Sequence, residues 1–589
     1  MKYIVLAALI LLCFSFSKKE EICELHSHTP IVFSDKEYPK NYFQSPVRHT
    51  LRLAGTFGEL RPNHFHAGID IKSSTGGIGD DLLAAADGYV TRIKVKAGGY
   101  GNALYIKHPN GYTTVYAHMD TFTEELNEFV KKNQYSRQSF GVDLYPNAGQ
   151  FSFKKGEKIG VLGNSGSSQG PHLHFEIRDS SNDRPLNPLL FGFEMEDNIP
   201  PKMHQLKIYH LNDKRETIGS KVMDVKKKEN IYKLAGDTLL IAAWRVGFGL
   251  KVYDHHNQVN NWNGIYSLEM LVNNQPFFDF KMEELSFAQT RYINAHMDFM
   301  ERVANKAYFN RCYDLPGNRL SIYGNQVDKG ILTLYKDKPQ KVTMVAKDAA
   351  GNASTLEFWV KRGEVETVRN SPSFNYTFPY DEENSLKRDN LSLYFPKGSF
   401  YENLYFKYEI QGTSEGAGFY APIHRLHNDE TPVHKYFTLG IKPSIAIPAG
   451  LKNKAYIAYI TSSGKTENCG GKWKDDKLVA SVRELGDYTI KIDETPPTIT
   501  PIAFNSDMKG YKKMAFKIRD DLPTGGKANG VNVKATVDGK WILLEEDGKK
   551  DEYTHRFDGK ISAGQHILKI VATDNRGNVT VFEKEFING

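Results

Sequence analysis

Between Val47 and Phe191 glycine cuts the chain into short alternating runs, and this excludes a helical domain there. The runs "AAADGYVTRIKVKA", "NALYIKHPNGYTTVYAHM" and "KKGEKIGVLGNSG" are strand sequence joined by Gly, Asn-Gly and Asp-Gly turns. The exception is "TFTEELNEFVKKNQYSR", Thr121 to Arg137. Its apolar residues Phe122, Leu126, Phe129 and Val130 recur at helical spacing, which predicts one amphipathic helix inserted in a β domain. The 34 Phe and 32 Tyr fit a β-rich chain.

At 589 residues the chain exceeds a single core, so several domains are expected. Two later regions resemble each other. "IPPKMHQLKIY" opens one at Ile199 and "TPPTITPIAF" opens the other at Thr495. They close on "VTMVAKDAAGNASTLEFWV" and "LKIVATDNRGNVTVFEKEF", which align Asp348 with Asp574, Gly351 with Gly577 and Asn352 with Asn578. A strand, an Asp-x-x-Gly-Asn hairpin and a second strand end many immunoglobulin-like sandwiches. The expected class is therefore mainly β: an antiparallel β domain over 47–191, then about three Ig-like β-sandwich modules. These modules occupy 199–363 (long enough to carry an insertion), 364–492 and 493–589.

The N-terminus "MKYIVLAALILLCFSFSKKEE" reads as a secretory signal peptide over 1–17, followed by a linker over 18–46. Lipid attachment at Cys13 is disfavoured because Leu12, not a small residue, precedes it. The expected location is the periplasm or cell envelope. No later run is apolar enough for an integral membrane segment. A net charge of +6, with lysines scattered among acids, gives no nucleic-acid footprint. Cleavage after Ser17 leaves Cys23, Cys312 and Cys469, which allow at most one disulfide and no disulfide scaffold.

Chemistry concentrates in "GPHLHFEIR", Gly170 to Arg178. Strand alternation puts His172, His174 and Glu176 on one side and Leu173, Phe175 and Ile177 on the other. A strand histidine by itself is more often a hydrogen-bonded surface residue than a ligand, so partners decide its meaning. "NHFHAGIDI" offers His66 and Asp70. "TVYAHMD" offers His118, which alternation places on one face with Thr114 and Tyr116. Imidazoles and a carboxylate suit tetrahedral zinc with one place open to water. Glu176 either orients a ligand from behind or is a solvated strand carboxylate. His64 competes with His66 but fits a cleft wall better, and His108 fits a structural hydrogen bond. His424, His427 and His434 in loop-like sequence, and the pair His255 and His256, read as surface histidines.

These motifs resemble the lysostaphin-type (LytM-type) zinc endopeptidases, a family with a duplicated-hybrid-motif β fold that cleaves peptidoglycan peptides. The resemblance rests on His66-x-x-x-Asp70, Tyr116-x-His118 and His172-x-His174 in "GPHLHFE", in that order, and covers about residues 47–190. It implies His66, Asp70 and His174 as ligands of one Zn2+, and His118 with His172 as the catalytic pair. It also implies peptidoglycan peptides as substrate. The alternative is a non-catalytic, wall-binding regulator of a cell-wall hydrolase, although relatives of that kind lack zinc ligands that are all present here. The C-terminal modules are expected to hold the enzyme at the wall, to bind a glycan or envelope-protein partner, or to cover the cleft. The stretch from Asp120 to Gln150 is longer than compact members need, and its helix is expected on the groove rim.

Overall fold

The computed structural model describes residues 36–364, 373–412 and 418–589. The signal-peptide reading, Cys13 and Cys23 lie outside them. The chain is mainly β. Its N-terminal domain comprises β1 (Leu53–Gly55), β2 (Leu60–Arg61), β3 (His64–Phe65), β4 (Ile69–Lys72), β5 (Asp81–Leu83), β6 (Gly88–Val95), β7 (Asn102–Lys107) and β8 (Tyr112–Phe122). Helix α1 (Glu124–Arg137) follows, then β9 (Val142–Leu144), β10 (Ser152–Phe153), β11 (Lys158–Leu162), β12 (His172–Asp179) and β13 (Pro185–Leu186).

One antiparallel sheet in the order β1-β4-β12-β8-β7-β6-β10 carries most of these strands, and β11 joins β5 to β8. The register sets His174 opposite Asp70 on β4 and opposite Ala117 on β8. Leu173, Phe175 and Ile177, the other face of β12, are fully buried in the domain core with Tyr116. The helix starts at Glu124 rather than Thr121 because Thr121 and Phe122 continue β8 against β11. Leu126 and Val130 seat it on the core.

Three β-sandwich bodies follow. The first stacks a five-stranded sheet, which includes Lys202–Leu211 and Arg245–Tyr253, on a seven-stranded one. Short helices lie within it between Thr290 and Asn305. The second pairs two five-stranded sheets and the third two four-stranded sheets. The paired closing hairpins are Gln340–Lys347 with Ala353–Arg362, and Gly564–Thr573 with Val579–Asn588. Cys312 and Cys469 are buried free thiols.

The first sandwich and the N-terminal domain share a core. Phe57 and Phe65, each 2% exposed, pack among the apolar side chains of the sandwich. Thr56 Oγ1 exchanges hydrogen bonds with Gly264 (3.2 and 3.0 Å), and Phe65 N donates to Thr290 Oγ1 at 3.0 Å. Phe65 lies on the β2–β3 hairpin, which stands apart from the main sheet, and Phe57 lies in the segment that leads into it. Phe65→Ala is therefore expected to cost about 3–5 kcal/mol in urea unfolding, and to shift the transitions of both bodies. A shift confined to the N-terminal domain would contradict the shared core.

Candidate metal centre and its flanking histidines

Three donor atoms converge beneath the sheet edge. His66 Nε2 lies 2.9 Å from Asp70 Oδ1 and 2.9 Å from His174 Nδ1, and His174 Nδ1 lies 3.0 Å from Asp70 Oδ1. Ligands around a tetrahedral zinc at about 2.0–2.1 Å stand roughly 3.3 Å apart. These residues therefore form a group that could hold a metal ion. All three are buried.

The outer atom of each donor is already engaged, which aims the inner atom. His66 Nδ1 donates to the Thr56 carbonyl at 2.8 Å, leaving the Nε2 lone pair inward. Burial pushes His66 down to about 4, so its imidazole is neutral and can ligate. Asp70 Oδ2 accepts from Arg61 Nη2 at 2.6 Å, leaving Oδ1 to face the histidines. Arg61 reaches it because Gly55 has no side chain: a Cβ there would stand 2.6 Å from Arg61 Nη2 and 2.9 Å from Asp70 Oδ2. His174 Nε2 donates to Glu176 Oε1 at 2.8 Å.

Glu176 is fully buried rather than solvated. It accepts from Arg178 Nε at 2.6 Å and from the Tyr100 hydroxyl. Burial opposes its charge, but the Arg178 guanidinium and His174 outweigh burial and hold Glu176 down at about 2. A buried anion behind a ligand's distal N–H fixes the imidazole's orientation and raises its basicity. His174 itself is drawn up to about 9, since hydrogen bonds to Asp70 and Glu176 overcome burial.

His118 reaches the site through a break in β8. Unbroken alternation would leave it beside Thr114 and Tyr116, and Tyr116 points into the core. Instead the register against β7 slips between Asn102 and Leu104, and His118 adopts a left-handed φ of 62°. This bulge corrects the single-face reading of Thr114, Tyr116 and His118. It turns the ring toward His172, with centroids 4.8 Å apart, and toward His174 at 5.9 Å. A non-glycine residue in that conformation is uncommon and clusters at functional sites.

His118 Nδ1 donates to the Ser165 carbonyl at 2.9 Å, and His172 Nδ1 to the Gly170 carbonyl at 2.8 Å. Both rings thus hang from the loop between β11 and β12 and keep Nε2 free toward the donor group. His172 Nε2 lies 3.4 Å from Asp70 Oδ1. Burial, with the charges of His174 and His172, pushes His118 down to about 3, so it stands as a neutral base.

The remaining histidines separate cleanly. His64 is exposed on β3 with Nδ1 on the Pro62 carbonyl. His108 bridges the Asp87 carbonyl and Thr114 Oγ1 at 2.8 and 2.7 Å, a structural role. Five others correct the surface reading, among them His255, half-buried with Nδ1 3.1 Å from the Asn261 carbonyl. His424 is buried on the strand Ile423–Leu426 with Nδ1 at 2.8 Å from Tyr408 hydroxyl, because a polar turn after it masks a four-residue strand. His427 is half-buried and accepts from Lys407 N. His434 is half-buried and stacks on Tyr292 at 4.1 Å. His256, 3% exposed, faces Asp197 and Asp254.

Helix α1 does not stand free on the rim. Lys131 Nζ and the Tyr135 hydroxyl meet Asp558 of the last sandwich at 3.0 and 2.7 Å, and Tyr135 packs edge-on against Trp541. From the same sandwich Lys549 Nζ donates to the Ser168 carbonyl at 3.0 Å and to the Asn164 carbonyl, holding the loop whose carbonyls anchor His118 and His172. Arg61, Tyr100 and Lys549 escaped sequence reasoning.

Residues 64–135 match the model of Peptidase family M23, and residues 375–493 that of a Zu5-like domain. The N-terminal domain is thus of the M23 peptidase type. Over 160 residues the chain is 34% identical to the DD-carboxypeptidase/endopeptidase Mpg of Neisseria meningitidis serogroup B, covering 27% of each protein. It is also 34% identical over 140 residues to the murein hydrolase activator NlpD of Escherichia coli K12, covering 24% of this chain and 29% of NlpD. The chain therefore spans little more than a quarter of these relatives' length. Among solved structures, the catalytic domain of lysostaphin from Staphylococcus simulans aligns at 20% identity, over 24% of this chain and 91% of that one, with a TM-score of 0.18.

Two outcomes follow from the buried Glu176 and the raised His174. Glu176→Gln is expected to weaken metal binding about 10- to 100-fold in a chelator competition, and an unchanged affinity would contradict its orienting role. Metal entry must displace the His174 proton, which is held below about pH 9. The apparent affinity should therefore fall roughly tenfold per pH unit on going from 8 to 7, and a flat profile would contradict it.

Proposed function

We propose that the protein is a secreted zinc-dependent endopeptidase that hydrolyses peptide bonds in peptidoglycan stem peptides or cross-links. The observation that carries this reading is the convergence of His66 Nε2, Asp70 Oδ1 and His174 Nδ1 within 3.0 Å, with the imidazoles of His118 and His172 beside them. His66, Asp70 and His174 would hold one zinc ion. The buried donor set, with each outer atom anchored, fits that ion.

Zinc, when bound, supplies a Lewis acid for the scissile carbonyl and lowers the pKa of water. The remaining chemistry falls to the chain's own groups. His118, neutral through burial, offers Nε2 to take a proton from the attacking water. His172, with its Nδ1–H fixed on Gly170, turns Nε2 to the same space and would donate to the developing oxyanion when Nε2 also carries a proton, while the proton that His118 takes from the water passes to the leaving amine. Arg61 neutralises Asp70, and Glu176 with Arg178 fixes the His174 ring, so neither pair spends reorganisation during the reaction.

A second reading, a non-catalytic activator of a cell-wall hydrolase, is favoured by the relative named murein hydrolase activator. The two readings part on metal content and on digestion of purified peptidoglycan. The enzyme reading expects about one zinc per chain and release of shortened peptides. His174→Ala should lose both metal and activity, whereas His172→Ala and His118→Ala should keep the metal and lose at least about 100-fold in rate. A zinc-loaded wild type that digests no peptidoglycan, yet raises the activity of a separate hydrolase, would establish the activator instead.

A further inference from the structure

The first and last sandwiches repeat one acidic constellation at the point where the chain enters each module. Asp197 and Asp493 each stand three residues before a Pro-Pro pair. Asp254 and Asp520 each directly follow a strand paired with the module's opening strand, Arg245–Tyr253 or Lys513–Arg519. Asp348 and Asp574 each open the closing hairpin. The bonding around them repeats too. Asn352 Nδ2 donates to the Asp197 carbonyl at 3.1 Å and to Asp348 Oδ2 at 2.8 Å. Asn578 Nδ2 donates to the Asp493 carbonyl at 2.9 Å and to Asp574 Oδ2 at 2.8 Å.

This hairpin clasp accounts for Asp348 and Asp574 but leaves other oxygens without partners. Asp197 Oδ2, Asp254 Oδ1 and Asp493 Oδ2 are buried and accept no hydrogen bond from the described residues. His256 lies 3% exposed beside Asp197 and Asp254, 2.9 and 3.6 Å away, yet neither ring nitrogen has hydrogen-bond geometry to any group. Burial, with the charges of Asp348 and Asp197, pushes Asp254 up to about 8. Asp493 and Asp520 are raised by burial and by Asp574, although Lys454 stands near Asp493. Arg576 is committed to the Ala455 and Gly471 carbonyls. Buried, unpartnered carboxylates of like charge are costly unless a cation joins them.

We propose that each of these two modules binds a divalent cation of the calcium class, at Asp197, Asp254 and His256 in the first and at Asp493, Asp520 and Asp574 in the last. Donor atoms within each group lie within 4.8 Å of one another, which matches oxygens on opposite sides of a cation at about 2.3–2.6 Å. The position of His256, two residues after Asp254, is Leu522 after Asp520. The carboxylates, not the imidazole, are therefore what the two sites share, and oxygen donors select a hard cation. Each ion would tie the entering segment to the strand paired with the opening strand and to the closing hairpin. In the first module that segment is the connection from the peptidase-type domain, so the cation stiffens the joint between them.

The test is a calcium chloride titration of the full, zinc-loaded chain by calorimetry, with thermal melting in parallel, for wild type, Asp254→Asn and Asp520→Asn. Wild type should take up two equivalents and each variant one. Without calcium both variants should melt at or above wild type, because no ion contact is lost and any repulsion on an ionised Asp254 or Asp520 is relieved. With saturating calcium both should melt below it. That inversion separates a bound cation from a merely structural carboxylate. No saturable uptake, or uptake of both equivalents by both variants, overturns the proposal. A single wild-type equivalent overturns it for the module whose variant leaves uptake unchanged.

Discussion

The site depends on one cross-strand register. Pairing β12 with β4 sets His174 against Asp70, and pairing β12 with β8 sets it against Ala117. A slip of one residue would send His172 and His174 into the core and Leu173 to the site. Full burial of Leu173, Phe175 and Ile177 fixes that register. The same apolar residues that hold the sheet together thereby aim the donors.

Charge is arranged around this register in nested pairs. Arg61 backs Asp70, and Arg178 backs Glu176, which in turn backs His174. In these pairs each buried charge meets a partner of opposite sign, which is the condition under which buried charge is tolerated. Support also comes from outside the domain. Thr56 accepts from His66 through its carbonyl while its hydroxyl bonds the first sandwich, and Phe65, next to His66, sits in that sandwich's core. At the opposite side Lys549 of the last sandwich holds the loop that anchors His118 and His172. The β modules are thus part of how the site is built.

Much of this was legible in the sequence. Alternation in "GPHLHFEIR" gave the shared face of His172, His174 and Glu176, and the repeated Asp-x-x-Gly-Asn segments gave the closing hairpins. Alternation failed at His118, because a bulge with a left-handed residue inverts the face and leaves no compositional mark. It failed again at His424 and His256, where polar neighbours along the chain concealed burial produced by distant strands. Arg61, Tyr100 and Lys549 act through tertiary contacts alone, two of them across more than seventy residues of chain.

The central claim is that three named atoms hold one ion while two histidines stand beside it. Zinc-edge anomalous diffraction from crystals of the full chain tests it directly. The account predicts a single strong peak within bonding distance of His66 Nε2, Asp70 Oδ1 and His174 Nδ1, with His118 and His172 close by but not ligating. A peak elsewhere, or ligation by His118 or His172 in place of one of the three, would contradict it.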